Sequence, residues 1–405
     1  RPPRSTLFPY TTLFRSASWG QNGSLSNLGP DQFRSLITTA GIKYPKPGGG
    51  FYTGAEPELL ANPELTWETS EQIDLGFDIR FLKGKLAFSA DYYNKKTKDL
   101  LTPGSPPLSV GNKAPFVNAG DVVNKGFEFE VDWLEGKGDF KYNIGLNLTT
   151  LKNEVTYLNP LLERVSGSAV GTGWTATYFE EGQPIWYFRG YQTDGIFQNQ
   201  AQIDQYVADN GLQGYAPVPG DPIVVNTNGD NVINEDDQTY IGDPHPDVLF
   251  GANFNFFYKQ FDLNLFLQGT LGNDILMGWN RTDRSTSNRP EFFFEDRWTG
   301  EGSTNDWFRA DPSNPYAYNS DFMVFDGSYM RIKQIQLGYT LPDRITNDIN
   351  IDNVRFYLSL DDYFTFTKYP GMDVEAGSND DNSQGIDRGV YPIPKKFMMG
   401  LQISL

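Results

Sequence analysis

"GFEFEVDWLEGKGDFKYNIGLNLTTL", residues 126–151, decides the fold class. Phe127, Phe129, Val131 and Trp133 alternate with Glu128, Glu130 and Asp132, the period of a strand with one apolar and one polar face. Across the turn "EGKGD", Tyr142, Ile144, Leu146 and Leu148 repeat the pattern, so the segment predicts an antiparallel hairpin. Two more pairs flank it. "IDLGFDIRFLKGKLAFSADYYN" sets Leu86, Phe88, Ala90 and Tyr92 on one face. "VLFGANFNFFYKQFDLNLFLQG" does the same with Phe250, Ala252, Phe254 and Phe256, then Phe261, Leu263, Leu265 and Leu267. "YMRIKQIQLGYTLP" and "NVRFYLSLDDYF" follow, and the last segment, "KKFMMGLQISL", alternates Phe397, Met399, Leu401, Ile403 and Leu405.

The tight reversals separate long irregular stretches rich in Gly, Pro, Asn and Asp, at residues 20–70, 94–123, 150–246, 270–328 and 362–394. Loops of that length are uncommon in compact soluble domains. Short turn alternating with long loop puts all short turns at one end of an up-and-down barrel and all long loops at the other. Nine strands are legible, the earliest near 73–81, and "ASWGQNG" at 17–23 reads as the top of one before it. The competing reading is a soluble β-sandwich, whose loops would be of mixed length at both ends.

The chain has 405 residues, a formal charge of -18 and no cysteine. Its acidity argues against nucleic acid as a partner, which would need a basic stripe. Disulfides and Cys-based metal sites are excluded, and the single histidine, His245, rules out a three-histidine site within the chain. No apolar run reaches the length of a membrane-spanning helix, which leaves a strand-built barrel open. The opening "RPPRSTLFPYTTLFRSA" nearly repeats "TLFPY" as "TLFRS", has no signal-peptide organisation and is followed by no methionine before Met277, so residues 1–16 are read as adapter-derived artefact and 17–405 as a C-terminal fragment.

"NTNGDNVINEDD", residues 226–237, has the spacing of a calcium loop. Asn226, Asn228, Asp230, Asn234 and Asp237 fall at positions 1, 3, 5, 9 and 12, and Val232 at 7 offers its carbonyl. Asn226 in place of Asp, Asn231 in place of Gly and the short Asp237 in place of Glu depart from that pattern. Prolines on both sides break helical continuation, so the loop is read as a structural calcium clip or a metal-free array of Asx turns rather than a sensor. Paired acids at 236–237, 361–362 and 380–381 carry no partner set for glycoside hydrolysis, and His245 reads as a turn residue in "GDPHPD". Loop aromatics Trp174, Tyr178, Trp186, Tyr187, Trp279, Trp298 and Trp307 are candidates for stacking on a ligand or for pinning the loops together. A soluble, calcium-stabilised glycan-binding β domain is the main functional alternative to a membrane barrel; a glycoside hydrolase is the third.

The ordered blocks "NPELTWETSEQIDLGFDIRF", "ADYYNKKTKDLL", "NAGDVVNKGFEFEVDW", "NGDNVINEDDQTYIGDPHPD", "FDLNLFLQGTLGNDIL", "YMRIKQIQLGYTLP" and "DDYFTFTKYPGMDVE", with the alternating end, resemble the C-terminal barrel region of SusC/RagA-type TonB-dependent outer-membrane transporters. The resemblance runs over residues 17–405. It implies an all-β fold, the C-terminal part of a 22-stranded antiparallel transmembrane barrel with long extracellular loops. It also implies a lumen plug in a missing N-terminal region, energy from TonB through that region, and a SusD-like surface lipoprotein as partner. The cargo implied is an oligosaccharide or a peptide, with no enzymatic chemistry. On the same resemblance 226–237 matches an acidic, calcium-binding extracellular element, and Lys396–Leu405 the assembly signal, with Leu405 in place of the usual terminal aromatic.

Overall fold

The computed structural model describes residues 12–404 apart from 25–27, 30, 32, 36, 40, 58, 105–108, 110, 112–114, 161, 172, 212–216, 279–288, 311–315, 348–350 and 376–379. Ten strands form one continuous antiparallel meander: β1 (Thr12–Ser24), β2 (Glu68–Phe81), β3 (Leu86–Pro103), β4 (Phe116–Lys137), β5 (Phe140–Thr150), β6 (Val248–Tyr258), β7 (Phe261–Leu271), β8 (Tyr329–Thr340), β9 (Asn353–Thr367) and β10 (Lys396–Ser404). Each pairs with its sequence neighbours, and an eleventh strand, Lys152–Leu158, pairs with the upper part of β4. The nine expected strands and the one before them are all present. β1 and β10 are the open edges, so the sheet is an open wall segment and not a closed 22-stranded barrel.

Register stacks the apolar residues in rows. Phe81, Leu86, Trp133 and Ile144 align across β2–β5; above them come Ile79, Phe88, Val131 and Leu146, then Phe77, Ala90, Phe129 and Leu148. The face continues through Phe254, Leu265, Ile335, Leu360 and Phe397 to β10, where Met399 is 74% exposed. From Phe81 up to Ile73 is roughly 26 Å of strand at ~3.3 Å per residue. A tilt of about 40° reduces this to about 20 Å along the normal, close to the apolar band of membrane barrels. Among the described residues no second sheet covers this face, which corrects the soluble sandwich and the soluble glycan-binding domain: water would meet an uncovered apolar wall.

The opposite face is polar. Asp74, Asp78, Asp91, Glu128, Glu130 and Asp132 share it on β2–β4, and Asn143, Asn147, Asn253, Asn255 and Asn264 continue it on β5–β7. Asn264 Nδ2 donates to Asn253 Oδ1 at 2.9 Å and to Asn255 Oδ1 at 2.6 Å.

β1 starts at Thr12 and pairs without interruption to Ser24, so no element boundary falls at residue 16. Arg15 shares the apolar face opposite Phe77, and the alternation conforms from Ala17 to Trp19. Residues 1–11 and Leu405 lie outside the described residues. The expected loop at 94–123 is corrected: β3 and β4 remain paired up to Pro103 and Phe116, across bulges between Thr97 and Leu101. There the strands rise past the lipid, neither face has to be apolar, and the period-two signal disappears although the backbone ladder continues.

Candidate functional site

The long loops build a layer with its own apolar cores on the end of the wall opposite the tight turns at 82–85, 138–139 and 259–260. Four short strands, Val165–Ser166, Thr177–Phe179, Tyr187–Tyr191 and Gln238–Gly242, form one small sheet within it. A strand pair in the other loops, Asp274–Met277 with Val324–Asp326, is extended by Ile386–Asp387. The described residues of 150–246 therefore include a sheet of their own rather than only irregular loop.

Their aromatic residues are the reason. Trp186 and Phe179 pack with Val122, Val155 and Val165, which ties the loop to β4. Trp174 sits among Val170, Phe188, Leu276 and Ile386, its indole N–H without a hydrogen-bond partner among the described residues. Tyr187 is buried, stacks on Tyr240 and donates its hydroxyl to Glu180. Trp307, 5% exposed, is ringed by Phe292, Phe293, Phe308, Phe322 and Phe325. Trp298 is half-buried and donates from Nε1 to Gln198 Oε1 at 3.1 Å, while Tyr178 lies under the Arg189 guanidinium. Trp279 lies outside the described residues. Of the two uses open to these rings, the packing of Trp174, Trp186, Tyr187 and Trp307 supports pinning of the loops: a ring enclosed on both faces has none to offer a sugar. Phe294 and Tyr391, not singled out in the sequence, are among the exposed loop aromatics, Tyr391 at 89%, and Phe33, Tyr44, Phe51, Tyr52 and Trp67 in the loop between β1 and β2 are exposed as well.

Residues 226–237 form a chain of Asx turns. Asn226 Oδ1 accepts from Gly229 N–H at 2.7 Å, Asn228 Oδ1 from Asp230 N–H at 2.9 Å, and Asp230 Oδ1 from Val232 N–H at 2.9 Å. Asn234 and Asp237 make a capping box, and the fully buried Asp237 also accepts from Thr227 N–H at 2.9 Å. Asn231 takes φ +62°, the left-handed turn that Gly would otherwise make. The donors are hard oxygens, and each ionised carboxylate oxygen keeps a lone pair beyond the N–H bond it accepts, so the residues fit a calcium ion in kind. Among the described residues no three His, Asp or Glu side chains converge as a metal group, and of the loop's four acids, Asp230, Glu235, Asp236 and Asp237, only Asp230 and Asp237 stand at ligand positions.

A helix does approach this loop, against expectation. α1 (Gln200–Asn210) is capped by Asn199, whose Oδ1 accepts from Gln202 N–H at 3.1 Å, and ends at Gly211 against the Asn231 carbonyl. The signal was in the sequence: an Asn cap, good helix formers and a terminal Gly.

His245 is the expected turn residue, its Nε2 2.9 Å from the Ile185 carbonyl. Beside it, Asp243 N–H donates to Asp274 Oδ2 at 3.1 Å. Burial, aided by the neighbouring Asp243, Asp326 and Asp247, pushes the Asp274 carboxyl up to about 6, and burial also raises Asp243.

A charged cluster on β8 was not read from the sequence. Arg331, 4% exposed, holds Asp373 at 2.6 Å and also pairs with Glu375. Lys333 reaches Glu375 at 3.0 Å and Asp362 at 3.1 Å, and Gln268 and Tyr329 donate to Glu375 at 2.9 and 3.2 Å. The cluster fastens the segment 369–375 to the polar face of the wall.

A wall of this kind, apolar outside and polar inside with every long loop at one end, is matched by the family model described as TonB dependent receptor-like, beta-barrel, over residues 6–232. The chain belongs to the TonB-dependent receptor β-barrel family. Receptor P3 of Formosa agariphila is 32% identical over 97% of this chain, and SusC of Bacteroides thetaiotaomicron is 27% identical over 95% of it. The solved RagAB peptide transporter shares the fold, with a TM-score of 0.76 at 21% identity over 96% of this chain and 40% of that one. The chain is thus similar to receptors of SusC/RagA type, and its family places it in the outer membrane. The chain spans 39% of the length of P3 and 37% of that of SusC. Family membership marks a transport protein and not an enzyme, which removes the hydrolase reading.

Proposed function

We propose that the complete protein imports oligosaccharides or peptides across the outer membrane, energised by TonB, and that this chain supplies part of the wall of a 22-stranded barrel together with its extracellular loops. The observation that carries it is the meander with all long loops at one end, apolar outside and lined inside by Asn and carboxylate side chains. Amide and carboxylate groups suit the hydroxyls of a sugar or the backbone of a peptide, and no covalent chemistry is required. A SusD-like lipoprotein covering the loop layer is part of the reading, with exposed Phe294 and Tyr391 as candidate contacts.

The test is an epitope inserted between Gly300 and Glu301 of the complete gene product. Antibody is expected to bind intact cells, and a gene deletion to lose uptake of one oligosaccharide or peptide class. Signal only after permeabilisation, or a soluble product, would overturn the orientation and the import reading together.

A structural calcium ion held by Asn226, Asn228, Asp230, Asn234, Asp237 and the Val232 carbonyl belongs to the same proposal. Calcium at a hundredfold excess over its Kd is expected to stabilise the receptor by roughly 2.7 kcal/mol. The gain, read as a rise in Tm over a chelator-treated sample, shrinks in Asp230→Asn. Identical melting with and without chelator would leave the loop as a metal-free array.

A further inference from the structure

The outward face of the wall turns from apolar to cationic within one row, and over only part of its width. Leu75, Tyr92 and Phe127 align across β2–β4, with Thr150 bonded to the Phe127 N–H. One row nearer the long loops, Ile73, Asn94, Lys125 and Lys152 align, the last on the strand Lys152–Leu158. The next row brings Glu71, Lys96, Val123 and Glu154, and Lys98 lies beyond it opposite Thr69. At the top of β8 and β9 the outward residues are instead Ile332 with Phe364 and Met330 with Phe366. The lysines are therefore a patch and not a rim.

Charge pairing leaves this patch unbalanced. Glu71 takes Lys98 at 2.7 Å and the Trp19 indole N–H at 3.0 Å; Asp121 takes Lys96 at 2.8 Å; Glu154 takes Lys152 at 3.2 Å. Lys125 has no carboxylate partner among the described residues, and it lies directly opposite Lys152. Like charges facing each other across adjacent strands, with Cβ atoms about 5 Å apart, are destabilising unless an anion lies between them. The pair sits at the upper limit of the apolar band, level with Trp19, which is opposite Ile73 and 63% exposed, as interfacial tryptophans are. That is the height of lipid headgroups on the long-loop side.

We propose that Lys125 and Lys152, flanked by Lys96 and Lys98, bind the phosphate of an anionic lipid of the outer leaflet. A phosphate reached by both ammonium groups supplies the counter-charge that Lys125 lacks, Lys152 being shared with Glu154, while the acyl chains lie along Tyr92, Phe127 and the rows below. The inference rests on the outer-membrane placement of the wall and not on the import reading, which survives its failure.

The test uses the complete receptor in detergent, with fluorescent phosphorylated lipid A, its dephosphorylated form and inorganic phosphate as probes. Lys125→Gln with Lys152→Gln is expected to weaken binding of phosphorylated lipid A by roughly tenfold to thirtyfold. Arg at both positions retains binding, and Lys83→Gln with Lys137→Gln, at the short-turn end, leaves it unchanged. Heat-modifiable gel migration verifies folding of each variant, and single Lys125→Gln serves if the double Gln variant does not assemble. Unchanged affinity in the Gln variants, or equal binding of dephosphorylated lipid A, overturns the proposal. Displacement of the lipid by millimolar inorganic phosphate reassigns the pair to a free anion and overturns the lipid assignment as well.

Discussion

Replacing Arg331 by Met in the complete receptor is expected to destabilise the fastening of residues 369–393 by roughly 3–5 kcal/mol. The cause is the pair of carboxylates left behind. Asp373 is 7% exposed, and its Oδ1 faces Arg331 while its Oδ2 accepts from Ile393 N–H at 2.7 Å. Without the guanidinium, an ionised Asp373 stays buried with backbone donors alone, and Glu375 keeps only Lys333 as a cation. Hydrogen exchange over 369–393 is the direct measurement, because the loss concentrates there while the β1–β7 ladder remains protected. Adding Asp373→Asn and Glu375→Gln to Arg331→Met should recover most of the protection, since the penalty lies in unpaired charge. Unaltered exchange in the single variant would show that the cluster does not hold the segment.

Trp307→Ala is the second large effect, about 3–5 kcal/mol in the loop layer. The ring joins three stretches of the same apolar core: Phe292 and Phe293, Phe308, and Phe322 with Phe325, at centroid distances from 4.6 to 6.3 Å. Truncation opens a cavity that rings held by their own neighbours cannot fill. Limited proteolysis is expected to cut residues 290–326 many-fold faster, with heat-modifiable migration of the barrel retained. Equal proteolysis of wild type and variant would mean that the rings contribute little to the loop layer.

Those contrasts show why the loops were harder to read than the wall. Trp307 and Trp174 occur in Gly- and Asn-rich segments where aromatic residues serve recognition and core formation alike, and composition cannot separate the two uses. Which use prevails depends on rings brought together from Phe292 to Phe325 for one core, and from Val170 to Ile386 for another. The Asx chain at 226–237 was legible because each of its hydrogen bonds joins residues within a few positions of each other. α1 was equally local, and the prolines after it drew attention from the Asn199 cap and Gly211 before them.

By itself the sequence determined the wall: its strands, their order, and which residues face lipid or lumen. Period-two alternation is imposed on each strand separately by two different solvents on its two faces, so it survives without any knowledge of partners. Only the tertiary structure decided the rest. It carried β3 and β4 past the membrane, where one solvent surrounds both faces and the alternation vanishes. It also set Lys125 opposite Lys152 and Arg331 against Asp373. Those pairs depend on register, bulges and loop return across tens of residues, and no local period encodes them.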